Sequence, residues 1–300
     1  MQPFQPQRSS ENAKDGMRSV GIIALIAFLV YGMTIQYARI RAGSVRPELQ
    51  EILNIVPSQP DEAHKKLDAL LAQRPEDIQL RREAIEVCKL VRRWEWAVPY
   101  ARRAVELSLS VNDKQVRAND LATLANVLME AQSGDWKREV LESAKQAYDL
   151  QPKDPQMMNL YGFALADLST KPADWERATP LLKDALEMAE GRVRDASATV
   201  FLAAVQDSYG WLLYRKGDYK GAVIALSRAL DTLPTEFLSR GATPEPGKVS
   251  PDELKVFYYH LGAAYRKANQ PKEAKNALDK ALLFDPKYRP AQEERKAITP

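Results

Sequence analysis

Two histidines, His64 and His260, and one cysteine, Cys88, are the only imidazole and thiol groups in the 300 residues. Imidazole is the commonest metal ligand and titrates near neutral pH, while a thiolate is a nucleophile. The two histidines stand far apart with no Cys/His spacing suited to zinc, and a lone cysteine excludes an internal disulfide. Cys88 falls in "AIEVCKLV", an apolar helical stripe, so a buried small hydrophobe is expected rather than a reactive thiol. His260 has no second ligand on its helix and is expected to pack.

Carboxylates recur at helical spacings, as in Glu293 and Glu294 or Asp207 and Asp218, and read as solvated faces and caps. "RKGDYKGA" contains Gly and Lys but follows no strand, so it is not a phosphate loop. Neither a Gly-x-Ser-x-Gly elbow nor a His-Glu-x-x-His helix occurs. No catalytic set, cofactor motif or metal site is therefore assigned, and the chain is expected not to be an enzyme. Lys plus Arg number 43 against 40 Asp plus Glu, a net charge of +3 that gives no field favouring nucleic acid.

Residues 19–38, "SVGIIALIAFLVYGMTIQYA", carry no charge and are bracketed by Arg18 and Arg39. Twenty helical residues span about 30 Å, the thickness of a hydrocarbon core, so a transmembrane helix contacting the lipid bilayer is expected there. A cleaved signal peptide is the rival, disfavoured because Gln36 and Ile40 occupy the positions where a cleavage site needs small residues. Three basic residues lie on each side of the span, so orientation stays open. Residues 1–18 read as a flexible tail and 39–46 as a linker. The expected placement is a single-pass membrane protein, first in a bacterial inner membrane and second in a mitochondrial one.

What must position any site in the remainder is a repeated helix. "AVIALSRALDTLP" (222–234) and "AKNALDKALLFDP" (274–286) share Ala, Leu, Ala and Pro at the same offsets. The pattern recurs at Ala63, Leu67, Leu70 and Pro75, and at Val140, Ala144, Ala147 and Pro152. Copies without the proline stand at Ala97, Ala101, Ala104 and at Ala178, Leu182, Ala185. Offsets of four and three share one helical face, so each copy is an amphipathic helix in need of a partner. The partner precedes it: Gly210 and Gly262 stand twelve residues before Ala222 and Ala274, where small residues let two helices approach around short turns at "KGD" and "ANQ".

Tyr258, Leu261, Gly262, Tyr265, Ala274, Leu278, Ala281 and Pro286, with Tyr209, Gly210, Leu213, Ala222, Leu226, Ala229 and Pro234 before them, resemble the tetratricopeptide repeat, a helical hairpin of about 34 residues. Here the first-slot residues are separated by 34, 43, 38, 44 and 52, so irregular loops and lengthened helices are expected. The surplus is assigned to "STKPADW" and to a Pro- and Gly-rich insert at 235–250. The resemblance implies an all-α solenoid of five to six irregular hairpins over 47–286, with 287–300 as a capping segment. Opening helices for the first and third hairpins are expected within 47–56 and 112–131.

The resemblance also implies a concave groove lined by the first helix of each hairpin. The groove positions hold Asn159, Phe163, Ala166 and Asp167, then Asp207, Trp211, Tyr214 and Arg215, then Tyr259, Ala263, Arg266 and Lys267. Trp, Tyr and Arg dominate interface energetics, so Trp211, Tyr214, Arg215, Tyr259, Arg266 and Lys267, with Phe163 and Asn159, form the candidate partner-binding set. The clamp by which some relatives hold acidic chaperone tails is not matched, since Leu160, Ser208 and His260 stand where one of its asparagines would. The expected function is a membrane-anchored adaptor binding a protein or peptide in an envelope assembly or quality-control complex. The alternatives are an enzyme subunit with a pocket between the 235–254 loop and the groove, and a structural spacer.

Overall fold

The computed structural model describes residues 46–193, 196–233 and 251–298. Within one compact unit, Pro47–Pro300, the described residues form helices in succession. These are α1 (Pro47–Ile55), α2 (Pro60–Gln73), α3 (Ile78–Leu90), α4 (Trp94–Ser108), α5 (Lys114–Ala131), α6 (Trp136–Leu150) and α7 (Pro155–Leu168). There follow α8 (Pro172–Glu190), α9 (Ala196–Arg215), α10 (Tyr219–Thr232), α11 (Pro251–Lys267), α12 (Pro271–Phe284) and α13 (Arg289–Lys296). Each odd-numbered helix up to α11 packs along the even-numbered helix after it, and α7, α9 and α11 also pack on one another in order.

Local chemistry starts and stops these helices. Asp77, Asp113, Asp154 and Asp218 accept hydrogen bonds from backbone N–H groups of the first turns of α3, α5, α7 and α10. Pro60, Pro155, Pro172 and Pro271 open α2, α7, α8 and α12, where a missing N–H costs nothing. Three hairpin turns close alike: Arg92, Gly217 and Asn269 have φ of 57°, 86° and 61°. The next N–H in each then reaches back to Cys88, Leu213 or Tyr265 O at 2.9–3.0 Å.

The repeated slots form the core. Ala63, Ala97, Val140, Ala178, Ala222 and Ala274 are all fully buried, and the residues four and seven further on are buried too, Leu70 being the most exposed at 8%. The glycines meet a different partner from the one expected. A Cβ on Gly162, Gly210 or Gly262 would stand 2.6–2.7 Å from Cγ of Leu182, Leu226 or Leu278. The glycine therefore admits the leucine one turn beyond the first-slot residue, although at Gly262 the Ala274 carbonyl is also near, at 3.3 Å.

Other expectations are refined. α1 and α5 supply the opening helices of the first and third hairpins, and α13 follows the last. Only residues 169–171 of "STKPADW" form a turn, because Pro172 starts a lengthened α8. The insert at 235–250 lies outside the described residues, and α11 begins at Pro251. Cys88 is buried, and burial pushes its thiol pKa up.

The membrane placement is corrected. Among the described residues no helix is long and apolar enough to cross a membrane. The segment 19–38, on which the single-pass expectation rested, lies outside the described residues, as do the tail 1–18 and the linker 39–45.

Candidate functional site: an aromatic and acidic layer across three hairpins

Trp211, on α9, is 4% exposed. Its ring stacks on His260 of α11 (centroids 4.1 Å apart, planes at 17°) and on Tyr214 (4.5 Å, 8°), with Tyr259 tilted at 5.8 Å. Its indole Nε1–H donates to Asp167 Oδ1 on α7 at 2.9 Å. One side chain thus joins α7, α9 and α11. Phe163 of α7 reaches His260 at 6.2 Å, and Tyr288, at the start of α13, meets Tyr259 edge-on at 5.6 Å.

His260 packs, as expected, but also has a polar partner. Its Nδ1 lies 2.8 Å from Asp207 Oδ2, both residues being buried. Asp207 is therefore not part of a solvated face, in contrast to Asp218, which caps α10, and Glu293, which is exposed. A carboxylate-oriented imidazole is a fragment of acid–base machinery. The neighbouring hydroxyl of Ser208 nevertheless donates to the Ala204 carbonyl at 2.9 Å and is held away from that role.

Two of the three cations expected to line the groove, Arg215 and Arg266, are engaged elsewhere, and so is Lys255. Arg215 donates to the carbonyls of Asp167 and Ser169 at 2.8 and 2.9 Å, capping α7 where carbonyls lack helical partners, and lies 5.3 Å over Trp175. Arg266 forms a fork with Glu294 of α13, one arm at 3.0 Å. Lys255 donates to Asp285 at 3.3 Å and sits 5.2 Å over Tyr288. Lys267 is exposed, whereas Phe163, Tyr214, Tyr259 and Asn159 are half-buried. The candidate set is thus split: Trp211 is core, Arg215 and Arg266 are ties between helices, and the others remain partly open.

Burial raises the phenol pKa of Tyr259, Tyr288 and Tyr214. Carboxylates add to it: Glu294 and Asp167 act on Tyr259, and Asp167, Glu130 and Asp207 act on Tyr288. Acids of α5, α7 and α9 thus raise the phenol pKa of one ring at the start of α13. Among the described residues Asp207 Oδ1 and Asn159 Oδ1, in the same slot of successive first helices, are buried acceptors without a hydrogen-bond partner. Tyr288 was missed from sequence because it stands in a segment read only as a cap. Its sole signal is a large ring beside the last hairpin's proline.

A separate cleft of about 160 Å³ lies between α11 and α12, lined by Tyr258, Leu261, Tyr265, Glu273, Asn276 and Lys280. The pocket imagined at the 235–254 loop falls largely outside the described residues. Among the described residues no group of three His, Cys, Asp or Glu side chains could hold a metal ion.

Residues 256–288, the α11–α12 hairpin, match the family model described as tetratricopeptide repeat. Comparison with curated protein sequences finds no match. Among solved structures, NprR in complex with its cognate peptide NprX is similar at 14% identity and a TM-score of 0.53, over 97% of this chain and 84% of that one. PlcR of Bacillus thuringiensis, in complex with the peptide PapR7 and DNA, is similar at 14% identity and a TM-score of 0.50, over 87% and 88%. The Cut9–Hcn1 hetero-tetramer of the APC/C is similar at 15% identity and 0.53, over 88% of this chain and 48% of that one. A helical-hairpin stack with one hairpin matching that model is a tetratricopeptide-like solenoid.

Proposed function

We propose that the chain is a non-catalytic interaction scaffold that takes an extended segment of a partner protein along the face where α7, α9 and α11 converge. The solenoid assigned to this role is 47–286, with 287–300 as its cap. The observation that carries the reading is the half-buried ring set Phe163, Tyr214 and Tyr259, presented on a bed fixed by Trp211 and His260. Rigid aromatics with one open edge contribute contact area at low entropic cost. The peptide complexes of NprR and PlcR support the reading through fold likeness alone. A photo-crosslinking residue at Tyr214 should capture partners, while one at Ile224, 71% exposed on α10, should not. Capture at 224 alone would refute the groove, and capture at neither would favour a spacer.

A further inference from the structure

We infer that this face recognises a basic side chain, a lysine or arginine of the bound segment, at the Asp207 carboxylate. The inference rests on the groove reading and deepens it. Asp207 is 5% exposed, its Oδ2 is held by His260, and its Oδ1 is buried with no partner among the described residues. A buried acceptor without a donor is costly, so a donor brought by a ligand gains the contact and removes the penalty. Among the described residues no lysine or arginine pairs with the Asp207 or Asp167 side chain.

The nearby cations cannot serve, being tied to Glu294, Asp285 and the carbonyls of α7. Charge complementarity therefore favours a positive guest. The half-buried rings of Tyr259 and Phe163, both beside His260, suit a cation, whose field attracts aromatic faces. Asn159 Oδ1 supplies a second acceptor without a partner, one hairpin earlier. Since Oδ1 is closed from solvent, entry requires a neighbouring side chain to turn aside.

The test is selection of a displayed random decapeptide library on the full chain, repeated on Asp207→Asn, followed by binding of the recovered peptides. Wild type should enrich peptides with Lys or Arg at one fixed register. Asp207→Asn should lose that enrichment, weakening those peptides about tenfold or more while sparing versions with Gln at the basic position. Equal enrichment on both proteins, or peptides that are neutral or acidic at every register, would overturn the basic-side-chain inference and leave the groove standing. No enrichment on wild type would overturn the groove reading as well. Spermidine competing as tightly as a recovered peptide would show that a free cation, not a peptide, is the guest. Should Asp207→Asn lose helicity, the recovered peptides are compared on wild type with versions carrying Gln at the basic position, where a loss of about tenfold or more is expected and equal binding overturns the inference.

Discussion

Gly210→Ala is a substitution on which two forces oppose each other, and the structure decides between them. In a helix interior alanine is favoured over glycine by about 1 kcal/mol. Here the added methyl would stand 2.7 Å from Leu226 Cγ, 2.9 Å from its Cδ2 and 3.1 Å from its backbone nitrogen. Ordinary carbon contacts lie near 3.5–4.0 Å, so the overlap is about 1 Å. Leu226 is 1% exposed within a core that also holds Leu230, Leu254 and Leu261, so it has little room to yield. Overpacking costs about 1–3 kcal/mol, leaving a net loss of up to roughly 2 kcal/mol. Gly191, at the end of α8, is the matched control. An added Cβ there finds nothing nearer than 3.6 Å and its φ is −71°, so Gly191→Ala should gain about 0.5 kcal/mol. Urea unfolding followed by circular dichroism, with hydrogen exchange on α9–α10 peptides, reads both. Adding Leu226→Ala to Gly210→Ala should cost less than it does in wild type, a coupling of about 0.5–3 kcal/mol. Gly210→Ala unfolding at or above the wild-type midpoint would refute the close-approach argument.

Arg92→Gly should raise stability by about 1 kcal/mol in urea titration, because Arg92 sits at φ 57° where glycine is unstrained. Arg82→Met should cost about 2–3 kcal/mol in the same assay, since it leaves Asp120, 5% exposed, without its bidentate guanidinium partner at 2.7–2.8 Å. The raised phenols of Tyr100, Tyr259 and Tyr288 make native stability complete below the unfolded tyrosine pKa near 10 and lost as pH rises beyond it. Taken as the difference between wild type and a variant with Phe at positions 100, 259 and 288, phenolate absorbance should therefore change only as the chain unfolds in alkali, and a smooth native-state titration of these tyrosines would contradict their burial. Trp211→Ala should lose about 3–5 kcal/mol by thermal and urea unfolding, so it is not a clean probe of binding.

The helices were legible because the repeated slots impose one physical demand. Ala222, Leu226 and Ala229 must face a partner, and a glycine opposite lets it come close. Prolines and aspartates then mark the ends. Which groove positions stay open was not legible, because slot number fixes the face of a helix and not how tightly successive helices curl together. That curl buries Trp211 against α11 and brings Tyr288 beside the carboxylates. The loss of Arg215 and Arg266 as free cations was equally hidden. Their partners are backbone carbonyls of α7 and a glutamate 28 residues downstream, neither of which follows the repeat.

A stacked array normally behaves like a row of tiles, each feeling only the next. The reach of Phe163 past α9 to His260 breaks that independence, since it couples a hairpin to its second neighbour. Pulled from its C-terminal end, such a stack should release its last three hairpins together, instead of peeling tile by tile.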